Sequence, residues 1–89
     1  MSGYIIRFSD QAKDDISHHK KSGNKAVVKK ITLLLEELAI HPFTGTGKPE
    51  PLKYALNDCW SRRITLEHRL IYEVVDTIVF ILSAKGHYE

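Results

Sequence analysis

Glu50 lies between Pro49 and Pro51, so its neighbours have fixed φ and its own backbone is held extended. That places a carboxylate rigidly. Lys48 and Lys53 set positive charge on either side of it, and Gly45 and Gly47 let the preceding loop turn tightly. Further along, Arg62, Arg63 and Arg69 sit in β-forming segments, and the sequence closes through Lys85, His87 and Tyr88. A three-residue turn at 65–67 that pairs Ile64 with His68 puts Arg63 directly opposite Arg69, with both side chains on one face. Two guanidiniums so placed repel unless solvent or an anion lies at hand, and their forked donors match phosphate geometry. Carboxylate, phosphate clamp and imidazole are the parts of metal-free RNA cleavage. A base takes the 2′-hydroxyl proton, cations stabilise the crowded phosphorane, and an acid protonates the leaving 5′-oxygen. Glu50, Arg69 with Arg63, and His87 fill those roles.

Each residue also has a plainer reading. The arginines could be solvated strand positions, Glu50 a surface loop acid, and residues 87–89 a frayed terminus. His18, His19, His41 and His68 show no metal-like spacing with carboxylates, so no metal and no cofactor is expected. Gly45-Thr46-Gly47 leads to Pro49 rather than into a helix, which excludes a dinucleotide fingerprint, and no Walker loop or nucleophilic triad is present. A nonenzymatic RNA-binding or protein-binding module on the same scaffold is the alternative function. The joint presence of Glu50 and His87 favours an enzyme, because gripping phosphate needs neither.

The elements that position these residues follow from patterning. Ser9 can cap a helix over 10–21, with Asp10, Asp14 and Asp15 near its positive end; its apolar stripe is thin, Ala12 and Ile16. Gly23 and Asn24 supply a turn and a second cap. Val27, Ile31, Leu34, Leu35 and Leu38 mark one face of a second helix, which ends before Pro42, with His41 in its last turn or beyond. Strands are predicted over 4–8, 52–56, 60–65, 69–75 and 77–83, the last almost wholly apolar and therefore internal to the sheet. Trp60 and Tyr72 read as packing residues rather than base-stacking ones. The order β-α-α-β-β-β-β predicts an α+β fold: a twisted, mainly antiparallel sheet with an αα-hairpin on one face and the other face open.

At 89 residues, with 43% hydrophobic and 27% charged, the sequence suits one domain over 1–89 with one core. The 13 Lys and Arg against 11 Asp and Glu give a net charge of only +2, which hides the clustering of cations in the second half. A lone cysteine, Cys59, forms no internal disulfide and completes no zinc motif, so a reducing cytoplasm is the expected location. No secretory signal opens the sequence, and no apolar run is long enough to span a membrane.

The segments Pro42-Phe43-Thr44-Gly45-Thr46-Gly47-Lys48-Pro49-Glu50-Pro51-Leu52-Lys53, Trp60-Ser61-Arg62-Arg63-Ile64 and His68-Arg69-Leu70-Ile71-Tyr72 resemble the YoeB (Txe) branch of the RelE toxin superfamily. The resemblance runs nearly end to end and is weakest in the first helix. It implies a microbial-ribonuclease-like fold and a bacterial toxin that cleaves mRNA in the ribosomal A site; the 2′-hydroxyl attack read above from Glu50 and His87 would leave a 2′,3′-cyclic phosphate. It also implies a YefM-like antitoxin as partner, beside the ribosome and the mRNA, and leaves room for a homodimer. Carried over by position, it makes Glu50 the catalytic glutamate, Arg63 and Arg69 the phosphate-contacting arginines, and His87 and Tyr88 the terminal catalytic pair. Lys53 matches a basic residue near the site, and Lys48, Arg62 and Lys85 complete the expected RNA-binding set.

Overall fold

The computed structural model describes residues 3–52 and 59–86. Strand β1 (Ile5–Phe8) leads into helices α1 (Asp10–Lys21) and α2 (Lys25–Leu38), followed by strands β2 (Glu50–Pro51), β3 (Cys59–Arg63), β4 (Arg69–Val75) and β5 (Ile78–Ser83). They form one sheet of order β1-β5-β4-β3-β2. All pairings are antiparallel except β1 with β5. The α+β fold expected from the sequence is the one observed, and β5 is internal, flanked by β1 and β4.

Local chemistry explains where the helices start and stop. Ser9 Oγ accepts the Ala12 N–H at 3.0 Å, and α1 carries Asp10 in its first turn and His18, His19, Lys20 and Lys21 in its last, which suits the helix dipole. Asn24 caps α2 in the same way through the Val27 N–H. Helix α2 ends at Leu38, short of His41. Ile40 and His41 both donate their N–H to the Glu37 carbonyl, tightening the exit, because Pro42 forces His41 out of the helical region.

Val27, Ile31, Leu34 and Leu38 of α2 bury one face against Leu70 and Tyr72 of β4 and Val79 and Ile81 of β5, with Ala12 of α1 in the same cluster. Both helices therefore cover one sheet face. The face turned away from them is not bare at its middle as expected, since Ser61 and Ile71, which lie opposite one another on it, are 1% and 6% exposed. The strand predicted over 52–56 falls outside the described residues except for Leu52. Among the described residues pairing is seen at Glu50 and Pro51, and the Leu52 N–H donates to the Cys59 carbonyl at 2.9 Å; the flanking prolines hold Glu50 extended and a sheet edge tolerates a proline without N–H. Among the described residues no helix is long and apolar enough to cross a membrane.

Candidate active site

Register brings the candidate residues together on the helix-free face. Glu50 pairs with Ser61, Ser61 with Ile71, and Arg63 with Arg69, so Glu50 and the two arginines stand in adjacent rows. The opposition of Arg63 and Arg69 is the one expected from the turn at 65–67. Arg69 Nη1 reaches to 3.8 Å from Glu50 Oε1; the arginine side chain is 19% exposed and the carboxylate 60%. An ion pair at that distance and exposure is loose, so each partner remains available to a third group.

Two further segments meet at this pair. The Arg63 N–H donates to the Gly47 carbonyl at 2.7 Å, and the Arg69 N–H to the Gly86 carbonyl at 3.0 Å. Gly47 is tied to this arrangement by its φ of +85°, and a Cβ there would lie 2.8 Å from the Arg63 carbonyl oxygen. Lys48 follows Gly47, adopting φ 51°, and Lys85 precedes Gly86; both are exposed. The two outer lysines of the expected set therefore flank the arginines along the backbone. Lys53, His87 and Tyr88 lie outside the described residues.

Arg62 is a correction. Its side chain is fully buried on the helix side of β3, and all five guanidinium N–H groups are engaged within the protein. Nε donates to Tyr72 Oη at 3.3 Å, Nη1 to Glu37 Oε1 at 2.9 Å and the Thr46 carbonyl at 3.4 Å, and Nη2 to the carbonyls of His41 at 2.5 Å and Thr44 at 2.7 Å. Nothing is left for RNA. Arg62 instead pins the loop 41–46, which leads to Glu50, against α2 and β3. Tyr72 joins by donating to the Pro42 carbonyl at 2.7 Å, and burial pushes its phenol above the usual range. The hydroxyl of Thr46 donates to Glu37 Oε2 at 2.6 Å and its N–H to Oε1 at 2.8 Å. The Thr46 hydroxyl first, with the Thr46 amide and Arg62 behind it, holds the Glu37 carboxyl below the ordinary carboxylate value against the opposing effect of burial.

Trp60 and Tyr72 pack as expected: Tyr72 is fully buried, and Trp60 lies against the core with Phe43 5.0 Å away, ring centre to ring centre. Ser61 Oγ, beside Glu50, is buried and finds no hydrogen-bond partner among the described residues. Among the described residues no group of three His, Cys, Asp or Glu side chains is arranged to hold a metal ion. Sequence reasoning missed Asp15, His19 and His68 as a group. The available signal was a carboxylate and an imidazole four residues apart on the apolar stripe of α1.

Residues 8–88 match the family described as YoeB-like toxin of bacterial type II toxin-antitoxin system. Toxin YoeB of Escherichia coli strain K12 is 44% identical over 81 residues, which is 91% of this chain and 95% of that protein. The YoeB dimer from Staphylococcus aureus superposes with a TM-score of 0.85 at 43% identity, covering 96% of this chain and 98% of that one. A chain of the YoeB-YefM complex from Staphylococcus aureus does so with a TM-score of 0.82 at 44% identity over the same shares of the two chains.

Proposed function

This chain belongs to the YoeB-like toxins of bacterial type II toxin-antitoxin systems, and on that premise we propose that it is a ribosome-dependent endoribonuclease that cuts mRNA in the A site, acting in the cytoplasm as one domain. The observation that carries the reading is Glu50 at 3.8 Å from Arg69, with Arg69 opposite Arg63. A phosphodiester seated over the two guanidiniums gains charge-assisted hydrogen bonds that strengthen as the phosphorane forms. Glu50 stands one row away, able to take the 2′-hydroxyl proton. The 2′-oxygen bonds to phosphorus, the bond to the 5′-oxygen breaks, and His87 returns a proton to that leaving oxygen. Products are a 2′,3′-cyclic phosphate and a 5′-hydroxyl. No metal enters this scheme.

Gly86 ends the described tail with its carbonyl on the Arg69 N–H, and His87 and Tyr88 come next in sequence, which supports their assignment to this site. Lys48, Lys53 and Lys85 would hold flanking phosphates. A YefM-like antitoxin is the proposed inhibitor, covering the arginines with acidic residues, and a homodimer is a further assembly in line with the staphylococcal relative. The test is cleavage of a defined message on programmed ribosomes with both new ends mapped. Cuts confined to the A site and dependent on ribosomes are expected; binding to ribosomes with no cutting would favour the nonenzymatic module.

A further inference from the structure

Asp15, His19 and His68 take no part in the proposed chemistry, yet all three turn toward the segment that follows β5. Asp15 and His19 stand one turn apart on α1 and are 5% and 2% exposed. Burying two such groups is costly unless their hydrogen bonds are made. Asp15 Oδ1 accepts from Gln11 Nε2 at 2.8 Å on the same helix, and the bonds that leave α1 go to a single residue. Asp15 Oδ2 accepts the Ala84 N–H at 2.9 Å, and His19 Nε2 donates to the Ala84 carbonyl at 2.9 Å. Two residues on, Gly86 is held by the same kind of pair. Its N–H donates to His68 Nδ1 at 2.9 Å, and its carbonyl accepts the Arg69 N–H at 3.0 Å. The rings of His19 and His68 meet edge to face with centres 4.7 Å apart, so the two anchors touch.

Backbone groups outside helices and strands commonly bond to water. Here both polar backbone groups of Ala84 and of Gly86 are taken by partners on α1, on β4 and in the turn before it, although neither residue belongs to a strand. His87 is one peptide bond beyond the second anchor. We propose that His68, backed by His19 and Asp15, is a positioning residue that fixes the chain at Gly86 and so sets where His87 and Tyr88 act. The inference rests on the reading of His87 as the general acid.

The test uses the full chain and two substitutions. His68→Asn keeps an acceptor oxygen near the place of Nδ1, and His68→Leu removes it. Exchange of the Gly86 amide is followed by NMR in the isolated protein. Single-turnover cleavage on programmed ribosomes gives the saturating rate and the half-saturating protein concentration. In His68→Leu the Gly86 amide should exchange about tenfold faster, the worth of one hydrogen bond. Its saturating rate should fall about 10- to 10²-fold, as for a misplaced catalytic group, with the half-saturating concentration unchanged. His68→Asn should restore both. Equal Gly86 protection in the two variants, or a wild-type rate in His68→Leu, would overturn the proposal. Should His68→Leu not fold, His68→Gln replaces it with the same expected losses, its oxygen lying one bond too far out. His87→Gln is run alongside: undiminished cleavage there refutes the acid assignment, while Gly86 exchange still decides whether His68 anchors the chain.

Discussion

Arg63 and Arg69 face each other across β3 and β4 without exchanging a backbone hydrogen bond, because the N–H of one is taken by Gly47 and that of the other by Gly86. In an antiparallel pair the non-hydrogen-bonded positions bring side chains closest. Two like charges are therefore set side by side at the point where the loop before Glu50 and the segment after β5 converge. Glu50 at 3.8 Å from Arg69 offsets only part of that repulsion. A phosphate would offset more of it, which is why the proposed site suits an anion.

Arg69→Ala should lower the cleavage rate about 10²- to 10³-fold, the usual cost of one donor to developing transition-state charge. Glu50→Gln should cost less, since the carboxylate is exposed and held only by a loose contact at 3.8 Å, whereas the guanidinium meets the developing phosphorane charge directly. Single-turnover rates on programmed ribosomes make the comparison. Greater damage from Glu50→Gln would show that proton abstraction, rather than charge stabilisation, dominates the barrier.

His87→Gln should lose about 10²- to 10⁴-fold in rate, the range of a general acid. Its thermal midpoint should match that of the wild type, as for a residue that serves the chemistry rather than the fold. Calorimetry and cleavage on the same preparation read both quantities.

Glu37 ties stability to pH. Its folded-state value lies below the ordinary 4.5, so its contribution is complete well above pH 4.5 and is lost as pH falls from there through the lowered value. Glu37→Gln keeps the shape but gives up the charge in the bonds to Thr46 and Arg62, and should cost about 1 to 2 kcal/mol near neutral pH. Urea unfolding of both proteins across the acid range should show that gap narrowing below pH 4.5. A gap that stayed constant would mean the carboxylate charge does not support the loop.

Much of this site was legible because its determinants are local. The Ser9 cap and the basic last turn bound α1, and the short turn at 65–67 alone sets Arg63 against Arg69. Arg62 was not legible. Its acceptors are the carbonyls of His41, Thr44 and Thr46, the Tyr72 hydroxyl and the carboxylate of Glu37, the last 25 residues away, and only the folded chain assembles them. Beside Arg63 in sequence it looks like one more surface cation, yet strand alternation turns it to the opposite face. His19 and His68 fail the pattern of metal ligands because they serve as hydrogen-bond anchors for main-chain groups 65 and 18 residues away.

The attacking atom distinguishes internal transesterification from hydrolysis. Hydrolytic nucleases that use two metals need clustered carboxylates, and the described residues offer none near Arg63 and Arg69. A message carrying hydrogen in place of the single 2′-hydroxyl at the scissile nucleotide keeps every phosphate for the arginines but lacks the nucleophile. Binding to ribosomes programmed with it should be unchanged and cutting at that position should cease. The unmodified message should yield a 2′,3′-cyclic phosphate upstream and a 5′-hydroxyl downstream, read by susceptibility of the fragments to phosphatase and kinase. Cutting of the deoxy message at the same bond, with a 5′-phosphate on the downstream fragment, would replace the 2′-oxygen by water as nucleophile and remove the role given to Glu50.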